Sequence, residues 1–357
     1  MKNRVPWLDV CRALAICLVL LSHGRWFLIP VAPWTQSFKF GGFLGVELFF
    51  VLSGFLIGSI MISKVESAET TFGWVLNFWT RRWFRTVPNY VLFVVINILL
   101  IFSIRPDVMP NLFLYLTFSQ NLAWQHPSFF PEAWSLAVEE MFYLITPLVV
   151  GGFLLVLKKP RLAILNTALA ILFFSVGARG YVVLSGDPTF DDGVRKISLL
   201  RLDALMVGVL VAWGYAYLWH WKRIFQKFAL LLIPFFLVAI YVAAQPDSYL
   251  NQSVFFRVFL FNFASLGCAG VIVLGMNIKI PSPVDAVVSR IAKWSFSAYL
   301  TNLPVLLSIK YFLPVQSLSV MSCVLLWMLY VIVTFFAAFL IYELYERKFL
   351  ALRERIS

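Results

Sequence analysis

Charge is scarce in this sequence: Asp, Glu, Lys and Arg make up 13% of its 357 residues, against 61% apolar residues. A soluble domain carries roughly a quarter of its residues as charges, so water is excluded as the main solvent of this chain. Histidine occurs only at His23, His126 and His220, and cysteine only at Cys11, Cys17, Cys268 and Cys323. The cysteines sit inside apolar segments with no close pair, so neither a disulfide framework nor a zinc site is expected. No polar stretch is long enough for a separate soluble domain, and no internal repeat or low-complexity segment interrupts the pattern, which leaves one domain over 1–357. The N-terminus starts basic at Lys2 and Arg4 and then turns apolar, as a leader peptide would. Asp9, Arg12 and His23 break that run and no small-residue cleavage site follows, so it is read as a retained first span.

What is abundant is apolar runs of membrane length. A spanning helix needs roughly 20 mostly apolar residues, which places about ten spans near 7–29, 41–63, 87–104, 132–157, 162–184, 199–219, 228–244, 253–276, 294–313 and 318–343. The fold expected is an all-α polytopic bundle of the inner (cytoplasmic) membrane type. Residues 65–86, where Trp74, Phe78, Trp79 and Trp83 alternate with Arg81, Arg82 and Arg85, read as an interfacial amphipathic helix. The net charge of +12 does not form one basic face, so no nucleic-acid partner is expected. Its Lys and Arg cluster instead between alternate spans: nineteen of the 29 fall on the side that holds both termini, which the positive-inside rule makes cytoplasmic.

Ionisable residues inside the lipid slab cost several kcal/mol each unless they are paired or face water, and are functional candidates by default. His23, Glu47 and Glu139 lie six or seven residues from the outer ends of their spans, roughly 9–11 Å deep, and share one depth. Arg201 and Asp203 enter the sixth span from the same side, which suggests an outward-open polar chamber. Arg12 precedes His23 by eleven residues, about three turns and about 16 Å along one helix face. Arg81, Arg82 and Arg85 stand near the inner end, where guanidinium forks suit phosphate or pyrophosphate.

Bland readings stand beside these. His23 is the best general base available by its intrinsic pKa, or else a hydrogen-bonded interfacial histidine. Glu47 either serves the chamber or pairs within the bundle. Of the adjacent Glu139 and Glu140, about 100° apart on a helix, one faces the chamber, and Glu139 is the choice. The arginine cluster binds a phosphorylated ligand or anchors anionic lipid. Ser53 beside Gly54 reads as a close helix contact before a nucleophile, and His126 and His220 read as interfacial. Trp134 and Tyr143 offer aromatic faces to a sugar ring, or pack the core.

Five blocks, in order, resemble the acyltransferase-3 family of membrane acyltransferases. They are Trp7-Leu8-Asp9 with Arg12-Ala13-Leu14-Ala15 and His23; Gly45-Val46-Glu47-Leu48-Phe49-Phe50 through Ser53-Gly54; Arg81-Arg82-Trp83-Phe84-Arg85 with Pro88; Trp134-Ser135-Leu136 with Glu139, Phe142 and Tyr143; and Arg201-Leu202-Asp203 with Gly208. The resemblance implies about ten spans and O-acylation of a hydroxyl, often on a bacterial surface glycan such as an O-antigen or exopolysaccharide, with acyl-CoA, acetyl-CoA first, as donor from the cytoplasm. On that reading His23, Glu139 and Glu47 are catalytic, with a carboxylate orienting the imidazole and an acyl-His intermediate as an option. Arg12, Arg81, Arg82 and Arg85 hold the donor, Trp134, Ser135, Tyr143, Arg201 and Asp203 the acceptor, and no metal takes part. Ser297 to Asn302 matches a further block, except that many relatives carry His where this chain has Asn302. No fused hydrolase-like domain is expected, so the membrane domain or a separate polysaccharide-assembly partner would complete transfer to a glycan or glycolipid. The alternative is a secondary transporter or flippase for a glycan or lipid intermediate, although no pair of interrupted spans marks two inverted halves. A structural subunit of an assembly complex would leave the shared depth unexplained.

Overall fold

The computed structural model describes residues 4–67, 73–104, 110–218, 221–313 and 318–356; His220 lies outside them. Every regular element among these residues is helical. In chain order they are α1 Pro6–Leu28, α2 Lys39–Glu66, α3 Gly73–Ile104, the short α4 Leu112–Leu116, α5 Ala133–Leu157, α6 Pro160–Gly186, α7 Leu202–Tyr217, α8 Lys222–Leu230, α9 Ile233–Ala244, α10 Asp247–Gln252, α11 Val254–Gly275, α12 Ser282–Phe312, α13 Val320–Ile341 and α14 Arg347–Ile356. The ends follow local chemistry. Proline in the first turn opens α1, α6, α9 and α12, where its missing N–H is not needed. The Ser253 and Ser319 hydroxyls accept N–H bonds at the starts of α11 and α13. Lys158 and Asp187, at φ of 51° and 47°, turn the chain out of α5 and α6.

Eight of these segments are long and apolar enough to cross a membrane, and the protein is a polytopic helical membrane protein. All ten expected spans fall on helices, and two of them miss that standard for physical reasons. Helix α7 has 16 residues, about 24 Å long, and eleven of them are buried by protein, so packing more than lipid thickness sets its length. Helix α12 has 31 residues and hides Ser295, Ser297, Thr301 and Asn302 inside the bundle, which lowers its hydropathy.

The segment expected as a separate interfacial helix is a correction. Residues 65 and 66 finish α2, 68–72 lie outside the described residues, and 73–86 continue without a break into the span of α3. The apolar face of 73–86 docks on protein: Trp74, Val75 and Phe78 are buried, and Trp79 Nε1 donates to the Tyr143 carbonyl at 2.9 Å. Pro88 lies inside α3, and its carbonyl takes a bond from the Tyr345 hydroxyl at 3.2 Å.

Helix α2 is the hub, packed by α1 on one side and by α7 on the other. Its approach to α7 is backbone to backbone. A Cβ at Gly54 would overlap the Leu205 carbonyl oxygen, and one at Gly208 would overlap that of Val51. Small residues at facing positions let membrane helices pack this closely, so Gly54 acts here as a helix contact, while Ser53 beside it lines a cavity. Gly54→Ala is expected to destabilise the purified protein by about 1–3 kcal/mol through overpacking, seen as a lower thermal unfolding temperature. Gly151, with nothing within 4 Å of an added Cβ, serves as control: Gly151→Ala leaves that temperature unchanged or raises it. Equal behaviour of the two variants would contradict the close α2–α7 contact.

Candidate active site

Three cavities follow one another through the bundle. The first, about 370 Å³, is lined by Arg4, Asp9, Arg12, Ser59, Ser63 and Lys64. The second, about 100 Å³, lies between α2, α3 and α5 and is lined by Ser53, Arg82, Arg85, Glu139 and Tyr143, among others. The third, about 250 Å³, holds His23 with Arg25, Lys39, Glu132, Arg195 and Lys196. Arg12 and Leu56 line both the first and the second. Val46 and Tyr299 line both the second and the third.

The middle cavity is basic on one wall and acidic on the other. Arg82 and Arg85, one turn apart on α3, bring their positive charge to bear on Glu139 of α5. The Ser53 and Tyr143 hydroxyls bond at 2.9 Å beside them. Arg12 reaches the same space from α1, steadied by Asp9 at 3.0 Å, and Asp9 is itself bridged to Arg4 at 2.7 Å. Arg81 is exposed and does not line this cavity. Arg353 of α14 stands within electrostatic reach of Arg81 and Arg85 and adds a fifth guanidinium to the region.

In the third cavity, His23 Nδ1 lies 2.5 Å from Asn302 Oδ1. The orientation of that amide is set by its other end, because Asn302 Nδ2 donates to the Tyr299 carbonyl. An amide oxygen only accepts, so Nδ1 of His23 carries the proton and Nε2 keeps its lone pair. The Tyr330 hydroxyl donates to the same Oδ1 at 3.5 Å. Around the imidazole the rim is ionic: Asp191 meets Arg195 at 2.5 Å and Lys196 at 2.7 Å, and Lys39 meets Asp247 at 2.6 Å. Burial alone would raise the Asp191 carboxyl, but Arg195 and Lys196 outweigh it and hold it below the usual carboxylate range. The Arg25 guanidinium donates to the carbonyl and hydroxyl of Ser22 in its own turn.

Measured against the expectations, the residues divide. Arg12, Arg82, Arg85, Glu139, Ser135 and Tyr143 meet in the middle cavity, and His23 and Trp134 meet in the third. Glu139 lines the cavity while its neighbour Glu140 is buried beside Thr86 and Trp83. The shared depth of His23, Glu47 and Glu139 does not make one chamber, because depth along a helix leaves open which face each side chain uses. Glu47 turns toward α7 and pairs with Arg201, both fully buried. Arg179 Nη2 bridges Asp203 Oδ2 at 2.8 Å, and the Arg201 guanidinium lies 3.9 Å from the centre of the Phe261 ring. Glu47, Arg201 and Asp203 therefore form a buried ionic network outside the cavity linings, and the partner of the imidazole is Asn302 in place of a carboxylate. Trp134 lines the third cavity with the Arg195 guanidinium 5.1 Å from its ring centre and the Phe50 ring nearly perpendicular to it at 5.9 Å. Ser135 and Tyr143 belong to the middle cavity, away from the ionic rim. His126, pushed down to about 4 by burial, bonds the Phe130 carbonyl at 2.9 Å and closes a loop. Sequence reasoning did not single out Glu132, which lines the third cavity from the start of a span, nor the contact of Asn302 with His23, whose signal was the departure from the family block.

Breaking a buried pair by removing one charge costs about 3–5 kcal/mol. Glu47→Gln is therefore expected to lower the yield and thermal stability of folded protein, with the activity per folded molecule largely kept. A stable Glu47→Gln protein without activity would place Glu47 in the chemistry.

Residues 5–343 match the acyltransferase-3 family, described as an acyltransferase domain. The peptidoglycan O-acetyltransferase OatA of Listeria monocytogenes serovar 1/2a is 34% identical over 177 residues, which are 45% of this chain and 26% of that protein. The O-acetyltransferase OatA of Staphylococcus aureus strain NCTC 8325 is 29% identical over 329 residues, 85% of this chain and 50% of its own length. This chain thus spans about half the length of the staphylococcal relative, and its match covers about a quarter of the listerial one. No solved structure matches it. With the family pattern running over residues 5–343, through every helix that lines the cavities, the chain belongs to the acyltransferase-3 family.

Proposed function

We propose that this protein is a membrane O-acetyltransferase that moves an acetyl group from acetyl-CoA to a hydroxyl of a surface glycan in bacteria. The observation that carries the reading is the abutment of two unlike cavities at Tyr299 and Val46: an arginine-rich one on one side, and on the other one holding an imidazole whose Nε2 is free. The names of the relatives support the reaction class, and the peptidoglycan named for the listerial protein makes a glycan the first acceptor to test.

In this mechanism the CoA phosphates bind near Arg12, Arg82 and Arg85, with Arg81 at the exposed margin, and the basic clusters put that end in the cytoplasm. The pantetheine arm runs through the middle cavity and presents the thioester at the Tyr299 boundary. His23 Nε2 takes the proton of the acceptor hydroxyl, and the acceptor oxygen bonds to the carbonyl carbon as the C–S bond breaks. The CoA thiolate then leaves with the proton that His23 carried. Asn302 keeps the imidazole in the tautomer this needs, and Glu139 balances the charge of Arg82 and Arg85 when no donor is bound.

His23→Ala is expected to abolish incorporation of labelled acetyl from acetyl-CoA while leaving the unfolding temperature of the purified protein near that of the wild type. Near-normal turnover in that variant would remove His23 from the mechanism, and absence of acetyl incorporation by the wild type would favour a transporter. Replacing Arg82 and Arg85 together with Gln is expected to raise the apparent KM for acetyl-CoA at least tenfold, with a smaller change for the acceptor. An unchanged donor KM would leave these arginines as lipid anchors.

A further inference from the structure

Glu132, one residue before α5, is 2% exposed and lines the same cavity as His23. Among the described residues, no side chain bonds either of its carboxylate oxygens, and the N–H groups of Glu132 itself and of Leu303 lie near them. Other buried carboxylates in the bundle are engaged. Glu47 and Asp203 each have one oxygen in an ion pair, and Glu346 accepts from Asn89 at 2.8 Å and Ser297 at 2.6 Å. The backbone of Glu132 is meanwhile anchored: its carbonyl accepts from the Ser135 hydroxyl at 3.2 Å, and the Tyr299 hydroxyl, which bonds Ser135 at 2.6 Å, lies 3.4 Å from the same oxygen. The residue is held in place on the cavity wall, and among the described residues its buried carboxyl group has no side-chain partner.

Burying a carboxyl without a side-chain partner destabilises a fold, by about 1–3 kcal/mol or more for a charged group. A group of this kind is completed by what enters the cavity. Two carboxylate oxygens side by side match two hydroxyl hydrogens on neighbouring carbons, each in a charge-assisted bond. We infer that Glu132 is an acceptor-binding residue, and that the acceptor class is a polyol or sugar ring with adjacent hydroxyl groups, one of which is turned toward His23 Nε2. The ionic rim of Asp191, Arg195, Lys196 and Lys39 fits the same class, since it keeps the mouth wet and disfavours an apolar alcohol. The inference rests on the acetyl-transfer reading for the word acceptor, but the binding it describes is measurable without transfer.

The test uses the purified chain in lipid nanodiscs free of glycoside detergent, with methyl β-D-glucopyranoside and cyclohexanol as probes: both are six-membered rings, and only one carries neighbouring hydroxyls. Saturation-transfer NMR is expected to show the glucoside bound at least tenfold more tightly than cyclohexanol, and Glu132→Leu is expected to erase the difference. Glu132→Gln and Glu132→Leu are both expected to raise the unfolding temperature, because they remove a buried unpaired carboxyl, whereas a residue with a purely structural role would lower it. With labelled acetyl-CoA, Glu132→Gln is expected to raise the KM for the glucoside at least tenfold while the KM for acetyl-CoA stays unchanged. Equal binding of the two probes, no binding of either, or wild-type glucoside binding by Glu132→Leu overturns the inference. Glucoside binding that depends on Glu132 in a protein that transfers no acetyl group overturns the transferase reading instead and leaves the site standing.

Discussion

A lipid slab offers an ionised side chain neither counter-charge nor hydrogen bond, so each such group inside this bundle has either found a partner in protein or been given a cavity. Helix α7 shows the first solution. Its entry carries Arg201 and Asp203, which with Glu47 and Arg179 make a buried ionic network, roofed by Phe261 and backed by the Asn262 side chain and the Val258 and Leu200 carbonyls. Helices α1, α3 and α5 show the second, with Arg12, His23, Arg82, Arg85 and Glu139 all on cavity walls. The two solutions depend on each other, because the network and the glycine contact beside it lock α2 against α7, and α2 then forms a wall of all three cavities.

That dependence explains what could be read from the sequence. Apolar run length located the eight helices long and apolar enough to cross a membrane, because lipid thickness constrains composition directly, and it also pointed to α7 and α12, which fall short of that standard. The continuity of α3 through residues 73–86 was not legible: Trp74 and Phe78 look alike whether they dip into lipid or dock on protein, and here they dock. The residues with chemistry were legible as a set and misread in part as a geometry. Arg12, His23, Arg82, Arg85 and Glu139 announced themselves as charges in apolar surroundings. Depth along a helix axis then grouped Glu47 with His23, although a rotation about the axis sends Glu47 to Arg201. Glu132 escaped because a carboxylate at a span boundary is ordinary in sequence, and only the cavity beside it makes its lack of partners notable.

The contact between Asn302 and His23 bears on how this member of the family is tuned. Asn302 is an amide, which bonds Nδ1 without titrating. The protonation state of the histidine then depends on its own surroundings, and the tautomer on a group that does not change with pH. Tyr330 from α13 and the Tyr299 carbonyl of α12 fix the amide in turn, so two helices converge on one nitrogen of α1.

A bundle hollowed from both faces must also insulate. A water column running its full depth would let protons and ions drain down their gradients at the expense of the cell. The Ser135 and Tyr299 hydroxyls meet at 2.6 Å where the second and third hollows adjoin, with the Val46 side chain in the same partition. Two hydroxyls that satisfy each other leave little reason for water to wedge between them, and a partition built this way would keep the two hollows from joining into one water column.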